Sequence, residues 1–362
     1  MAPIYTVQLY TSAGVAVGNV TGFISVSVSR VLNAFDLAQI VLTSDNYYFS
    51  SFTYGVYVEV YRQDSALGIP GTREFAGIVV DSVTEIAPIT TRKIIAAGFE
   101  WLLQNRVIAW YAGVANRSTF SAQPAETVLK TLFNYNLGSL ATTANGRFLS
   151  GVLSGATTAA TTGAGNSITI SVAGENLLSA MQKIQELAGG DFAVIYTAPT
   201  TYTFTWYTGQ RGTDRTASVQ FSVEKGSIGR LTISEPRLKD ATTAIVAGAG
   251  TESARQIVTR PAVLPTGIDS REIWVDARNG QTTTAALQNI GSAELGAFTR
   301  GRVTYDADIV QIPSALYGVH YFIGDLVSVY TGTTTVSQKI YGVKLGIDSA
   351  GRESVKVELN AI

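Results

Sequence analysis

The chain has 362 residues, 46% of them apolar and only 15% charged, with a formal net charge of −1. That length permits two or three domains with a sizeable core. The absence of cysteine excludes disulfides and thiolate metal sites, a single histidine argues against His-based metal clusters and triads, and the near-neutral charge gives no bulk affinity for polyanions. So low a charge fraction also suggests that much of the surface is covered by neighbours.

The N-terminal Met1-Ala-Pro-Ile-Tyr5 has no basic segment leading into an apolar run, so no signal peptide is expected. No uninterrupted apolar stretch reaches the ~18 residues of a membrane span. Residues 1–103 read as β. Val26 and Val28 alternate with serines, Ala38 to Leu42 is apolar, and Val56, Val58 and Val60 share one face while Tyr57, Glu59 and Tyr61 share the other. Many short strands with Gly, Pro and Asp turns predict a sandwich or barrel.

Phe99 to Arg106 breaks the alternation and predicts a short helix or turn. Pro124 suits the first turn of a helix carrying Val128, Leu129, Leu132 and Phe133. A second helix is expected from about Asn176 to Ala188, ended by Gly189-Gly190 and followed by strands at Phe192–Tyr196 and Tyr202–Tyr207. Residues 104–226 are therefore an α+β domain. Within it, residues 138–167 are mostly Gly, Ala, Thr and Ser with few large apolar groups and are expected as a mobile surface excursion. The chain returns to β from Ser227, through Leu231–Ser234 and Ala244–Gly250. Residues 251–272 carry Arg255, Arg260 and Arg271 and predict a long exposed loop, and a third helix is expected near Thr284–Phe298.

The β-pattern near the start recurs near the end. Gly55-Val-Tyr-Val-Glu-Val-Tyr61 falls on Gly324-Asp-Leu-Val-Ser-Val-Tyr330, and Phe75-Ala-Gly77 on Ile340-Tyr-Gly342, with a spacer four residues shorter. Arg92–Gly98 then corresponds to Arg352–Glu358. The repeat predicts two similar β-domains about a pseudo-symmetry axis. The first covers 1–103. The second is split into 227–250 and 300–362 by an inserted loop and helix at 251–299.

Chemistry-bearing constellations are sparse. His320 sits among aromatics, where packing or a hydrogen bond is expected. Gly163-Ala-Gly165 and Gly248-Ala-Gly250 lack the Lys-Ser/Thr and helix start of a phosphate loop. Glu59, Asp81, Glu85 and Glu100 match a glycosidase pair by type only. In the polar knot Gly209–Thr216, Asp214 and Arg215 are expected to stabilise a turn, with Arg211 and Arg215 able to pair with carboxylates. No basic stripe interleaves with aromatics. No catalytic, cofactor or metal residue is assigned.

The arrangement resembles the tail hub, or baseplate hub, proteins of tailed bacteriophages. The resemblance rests on Arg30-Val-Leu-Asn33 followed by Ala38–Leu42, on Gly55 to Arg62 with Phe75–Val79, and on Gly98-Phe-Glu-Trp-Leu-Leu-Gln-Asn-Arg106. It continues through Ala180 to Phe192, Asp214-Arg-Thr216 and Gly324-Asp-Leu-Val327. It implies a homotrimer with two tail-tube-like β-barrels per chain, the second split, and α+β insertions. Three chains then make a six-barrel ring that adapts a sixfold tail tube to a threefold tip and surrounds the channel for tape measure and DNA.

The implied partners are a distal tail protein or tube ring above, and a tip, fibre or spike protein below. The implied location is the virion tail tip, after assembly in the bacterial cytoplasm. Because the chain ends soon after its second β-module, any wall hydrolase or spike is expected on another chain. The second copy lacks the Arg-x-x-Asn of the first, with Arg300-Gly-Arg-Val303 a poor substitute. Glu59 is a candidate lumen-facing charge, and Arg255, Arg260 and Arg271 are a candidate contact with a neighbouring subunit. Two alternatives stay open: a glycan-binding adhesin, which 17 Tyr and four Trp permit, and an envelope-degrading enzyme.

Overall fold

The structure is a computed structural model that describes residues 3–109, 117–235, 237, 238, 240–278, 283–300 and 303–360. The first module holds β1 (Ile4–Tyr10), β2 (Ala16–Val20), β3 (Ser25–Val31), β4 (Leu37–Thr43), β5 (Tyr57–Asp64), β6 (Ile69–Glu85) and β7 (Thr91–Ala97), then the single-turn α1 (Trp101–Gln104). A middle unit follows: β8 (Ser118–Pro124), α2 (Ala125–Asn136), β9 (Ala156–Thr158), β10 (Ser167–Val172), α3 (Leu177–Ala188), β11 (Gly190–Ala198) and β12 (Thr201–Thr208). The short β13 (Gln220–Phe221) and β14 (Ile228–Ser234) lead to β15 (Thr243–Ala247), β16 (Ile257–Arg260), β17 (Glu272–Asp276) and α4 (Thr284–Arg300). The chain closes with β18 (Thr304–Ile309), β19 (Leu326–Tyr330), β20 (Thr335–Ile347) and β21 (Glu353–Asn360).

Both copies of the repeat lie in one 13-stranded sheet, ordered β14-β18-β21-β20-β3-β4-β7-β6-β5-β1-β2, with β19 beside β20 and β13 beside β19. The protein is mainly β. No closed barrel is found among the described residues, and the pairing is an open path. Within it the quartet β14-β18-β21-β20 repeats the order of β3-β4-β7-β6. The two quartets meet where β20 pairs antiparallel with β3, from Gly342↔Val31 to Ile347↔Val26. Val26 and Val28 of β3 point into the core and are fully buried, while the intervening serines take the other face. A Cβ on Gly346 would lie 2.6 Å from the Val26 carbonyl oxygen, so a side chain there would crowd the seam.

One apolar core serves both modules. Val58, Val60, Phe75 and Ile94 of the first pack in the same cluster as Val327, Val329, Ile340 and Val357 of the second. The repeat is not uniform in register. Ile78↔Ala97 has its counterpart in Val343↔Val357, but Val58↔Gly77 is answered by Val327↔Gln338, four residues away from Gly342. The four-residue slip matches the shorter spacer. It is even, so every side chain keeps its face.

The middle unit has its own core, built on α2, α3, β11 and β12. Asn176 caps α3, its side chain accepting from the Ser179 N–H at 3.2 Å, and Gly189 (φ 65°) ends it. Residues 138–167 are more ordered than expected: β9 pairs in parallel with β12, and Ala141 and Ala156 are buried. The anchor is Glu126, which takes hydrogen bonds from Thr162 and Ala164 and pairs with Lys130.

The boundary of the insertion also shifts. β15, expected in the second module, instead pairs with β16 and β17 in a separate three-stranded sheet against α4. The apolar run Ala244–Ala247 suits any buried strand, and flanking strands that it can pair with decide its sheet. The expected loop 251–272 carries β16. Among the described residues no helix is long and apolar enough to cross a membrane.

The equivalent glycines give a test. A Cβ at Gly77 would sit 2.2 Å from the Ala97 carbonyl oxygen, whereas at Gly342 the nearest atom is the Glu358 carboxylate at 3.2 Å. Gly77→Ala should lose about 1–3 kcal/mol in chemical denaturation, by overpacking. Gly342→Ala should stay within about 1 kcal/mol of wild type, because a flexible tip can move.

Candidate functional site

The polar side chains converge on the junction between the modules. Arg62, on β5, has a fully buried side chain. Its Nε and Nη2 donate to the two oxygens of Glu353 on β21, both at 2.7 Å, and its Nη1 donates to the Tyr317 carbonyl oxygen at 3.1 Å. The Tyr5 hydroxyl donates to the same carboxylate at 2.8 Å. This bidentate pair joins the first module to the second. Arg30, across the seam, donates to the Tyr317 hydroxyl at 3.2 Å and lies 3.5 Å from Asp36.

A second knot ties in the middle unit. Asp191, fully buried at the start of β11, accepts from Asn33 Nδ2 (2.8 Å), the Arg211 N–H (2.7 Å) and Lys339 Nζ (2.9 and 2.7 Å). Asn33 belongs to the first module, Lys339 to β20. Asn33 itself holds φ 57°, a left-handed conformation that asparagine tolerates, and its Oδ1 accepts from the Phe192 N–H at 2.8 Å. One carboxylate thus binds all three parts of the chain.

The segment 209–216 is a docking loop. Asp325, buried in the second module, accepts from Thr213 N–H and Arg215 Nε, both at 2.6 Å. Gly212 packs against Gly324 so closely that a Cβ would fall 2.2 Å from its carbonyl carbon. Asp214 accepts from the Thr216 N–H (2.9 Å) and hydroxyl (2.7 Å), which close the turn and hold its carboxyl below the usual range. Arg215 reaches beyond that turn to Asp325.

Other residues singled out from the sequence have local duties. Glu59 does not present a free charge: it is 3% exposed and accepts from Tyr10 (2.7 Å), Tyr61 (3.0 Å) and Arg73 (3.2 Å). The reason is that both faces of β5 are covered, the Tyr57/Glu59/Tyr61 face by the middle unit. Tyr57 and Tyr202 share a 2.6 Å hydroxyl contact, and Arg73 donates to the Tyr196 carbonyl oxygen at 2.8 Å. The three loop arginines bond within their own subdomain. Arg255 holds Asp276 (2.6 Å), Arg260 holds Ser292 (3.0 Å) and Arg271 holds Asp240 (3.1 Å). His320 Nδ1 accepts from the Leu316 N–H at 3.1 Å.

The four carboxylates weighed as a hydrolase pair are dispersed. Glu59 lies under Arg73, Glu100 accepts from the Val194 N–H at 2.9 Å, and Asp81 and Glu85 are exposed along β6. Among the described residues no group of three or more His, Cys, Asp or Glu is placed to hold a metal ion.

The pairing roles of Arg62, Glu353, Asp191, Lys339 and Asp325 are not foreseen from the sequence. A charged residue inside or opening an otherwise apolar strand, as Arg62 and Asp191 are, was the available signal.

Glu100 titrates abnormally. Burial raises its carboxyl, and the neighbouring Asp36 charge raises it further, to about 7; burial raises Asp36 as well. A carboxyl whose folded pKa exceeds its unfolded value holds its proton more tightly when folded. Stability therefore falls as pH rises from the ordinary value of 4.5 towards 7, and stays lower above it. Glu100→Gln, which keeps the acceptor for Val194, should raise Tm at pH 8 and lose that advantage below about pH 4.5. An equal Tm at pH 8 would refute this.

The Arg62–Glu353 pair gives a second test. Glu353→Gln leaves a buried guanidinium without its counter-charge and should cost about 3 kcal/mol in urea denaturation. Replacing both residues, Arg62→Met with Glu353→Leu, should recover most of that loss.

Comparison with known proteins agrees on the fold. A tail protein from Neisseria meningitidis MC58 superposes with a TM-score of 0.61 at 13% identity, covering 99% of this chain and 96% of that one. The 43 kDa tail protein of prophage MuSo2 from Shewanella oneidensis gives 0.61 at 13%, with 98% and 97% covered. Prophage tail protein gp18 from Listeria monocytogenes EGD-e gives 0.52 at 10%, with 99% and 94% covered. No curated protein sequence matches. The family model described as Siphovirus ReqiPepy6 Gp37-like protein matches residues 6–359, and the chain belongs to that family of phage tail proteins.

Proposed function

We propose that this chain is the hub of a phage tail tip, a structural virion protein without catalytic activity. Three copies close a ring in which each chain supplies two tube-like β-modules. The ring presents six similar modules to a sixfold tail tube and threefold symmetry to the tip below, and it surrounds the channel through which tape measure and DNA pass. The upper partner is a tube ring or distal tail protein, and the lower one a tip, fibre or spike protein. In this reading the first module is 1–103 and the middle unit 104–226. The second module comprises β14 and β18–β21, and the segment between β14 and β18 is inserted.

One observation carries the proposal. A strand quartet repeats in the same order within one continuous sheet, so two like modules are held at a fixed relation inside one chain. That relation is what a chain needs in order to count as two subunits of a ring at one end and one at the other. The likeness to solved tail proteins over nearly the full length of both partners supports the same reading.

The purified protein should have the mass of three chains in native mass spectrometry at micromolar concentration, and its images should show a threefold ring with a central opening. A chain that stays monomeric up to high concentration, or that binds host glycans as a monomer, would overturn the proposal.

A further inference from the structure

Outside the two β-modules, β10 is an edge strand. It pairs with β8 on one side, and among the described residues no strand pairs with its other side. β17 is also an edge: β15 lies on one side of it, and no described strand pairs with the other. The two edges belong to different sheets, one in the middle unit and one in the inserted subdomain, and they line one cleft.

The cleft consists of two adjoining cavities of about 660 and about 120 Å³. Ser167, Ile168 and Thr169 line the larger, and Ile170, Ser171 and Val172 the smaller. Side chains alternate between the two faces of a strand, so a run of consecutive lining residues means that the strand's edge, with its backbone N–H and C=O groups, borders the space. β17 contributes Val275, Asp276 and Ala277 to the smaller cavity in the same way. Leu187 of α3 and Ile290 and Ala293 of α4 line both cavities and make a continuous apolar floor. Among the described lining residues four are acids, Glu175, Glu186, Asp276 and Glu294, and one is a base, Lys183, which lies 3.5 Å from Glu175.

We infer that this cleft binds an extended segment of a partner protein, with alternating apolar and basic residues, as an added strand on the free edge of β10. An unpaired strand edge is a template for such addition: main-chain bonds supply affinity, and alternate side chains select the sequence. The segment's apolar side chains rest on Leu187, Ile290 and Ala293, and its basic ones meet the acids. At the Val172 end it also reaches the edge of β17, so one strand ties the middle unit to the inserted subdomain. A second copy of this chain is not the occupant. Its own strands with that pattern, Val343-Lys-Leu345 and Val355-Lys-Val357, have their apolar residues buried in the core. The site lies outside both β-modules and does not depend on the ring.

The full chain is titrated with a short capped peptide of alternating Val and Lys, and amide hydrogen exchange is followed in the same samples. Two further peptides, N-methylated at every Val or at every Lys, block one strand edge or the other without changing a side chain. The parent peptide should bind and slow exchange along Ser167–Val172, and at least one N-methylated form should bind about tenfold more weakly or not at all. A Val/Glu peptide should not bind. Glu294→Lys, with its Tm unchanged, should weaken the parent peptide about tenfold, and Ala293→Trp, which fills the floor, should abolish binding. Equal binding of all three Val/Lys peptides, or binding that protects α3 and α4 but leaves β10 exchanging as before, points to a helical or side-chain occupant and overturns the proposal. So does an unchanged affinity in Glu294→Lys, or no binding of the parent peptide at millimolar concentration.

Discussion

The β20–β3 seam is the constraint on which the rest depends. Without it the chain would be two β-modules on a tether, and their relative position would be set by linkers. With it, six consecutive residue pairs and a shared core lock the modules together, from Gly342↔Val31 to Ile347↔Val26. The close approach at Gly346 and the buried alternation of Val26 and Val28 follow from that one pairing. So does the burial of Arg62, which lies between the modules and has no route to water.

The polar groups at the junction specify which way the modules meet. Apolar cores tolerate many arrangements that keep volume and pattern, whereas a buried guanidinium needs its carboxylate in one place. Arg62 with Glu353, and Asp191 with Asn33 and Lys339, are such groups, and each spans elements far apart in sequence. Their net contribution to stability is modest, because desolvation offsets much of the attraction. Their contribution to a unique geometry is larger, since any other docking would strand a buried charge. In the proposed ring, that geometry matters more than surplus stability.

Much of this architecture was legible in the sequence because β-strands that bury one face write a period of two. Val58/Val60 and Val327/Val329 announced the repeat, and the helical spacing of Leu177, Met181, Ile184 and Ala188 announced α3. What stayed hidden is non-local. Nothing near Ala244 says which strands it will pair with, so β15 was placed in the wrong sheet. The Ser/Thr/Gly/Ala stretch concealed β9 because its order comes from Glu126 and from pairing with β12. Glu59 looked like a free charge because alternation reveals that a strand has two faces, not that a second unit covers the outer one. The partners of Arg62 and Asp191 lie 291 and 148 residues away, beyond any local pattern.

Amide hydrogen exchange at the seam tests the account most directly. If the two modules are one unit, the ladder amides of Val26–Val31 and Gly342–Ile347 should exchange only through global unfolding, as slowly as those of the buried central strands β4 and β21. Fast, edge-like exchange at the seam, with each module protected separately, would contradict it.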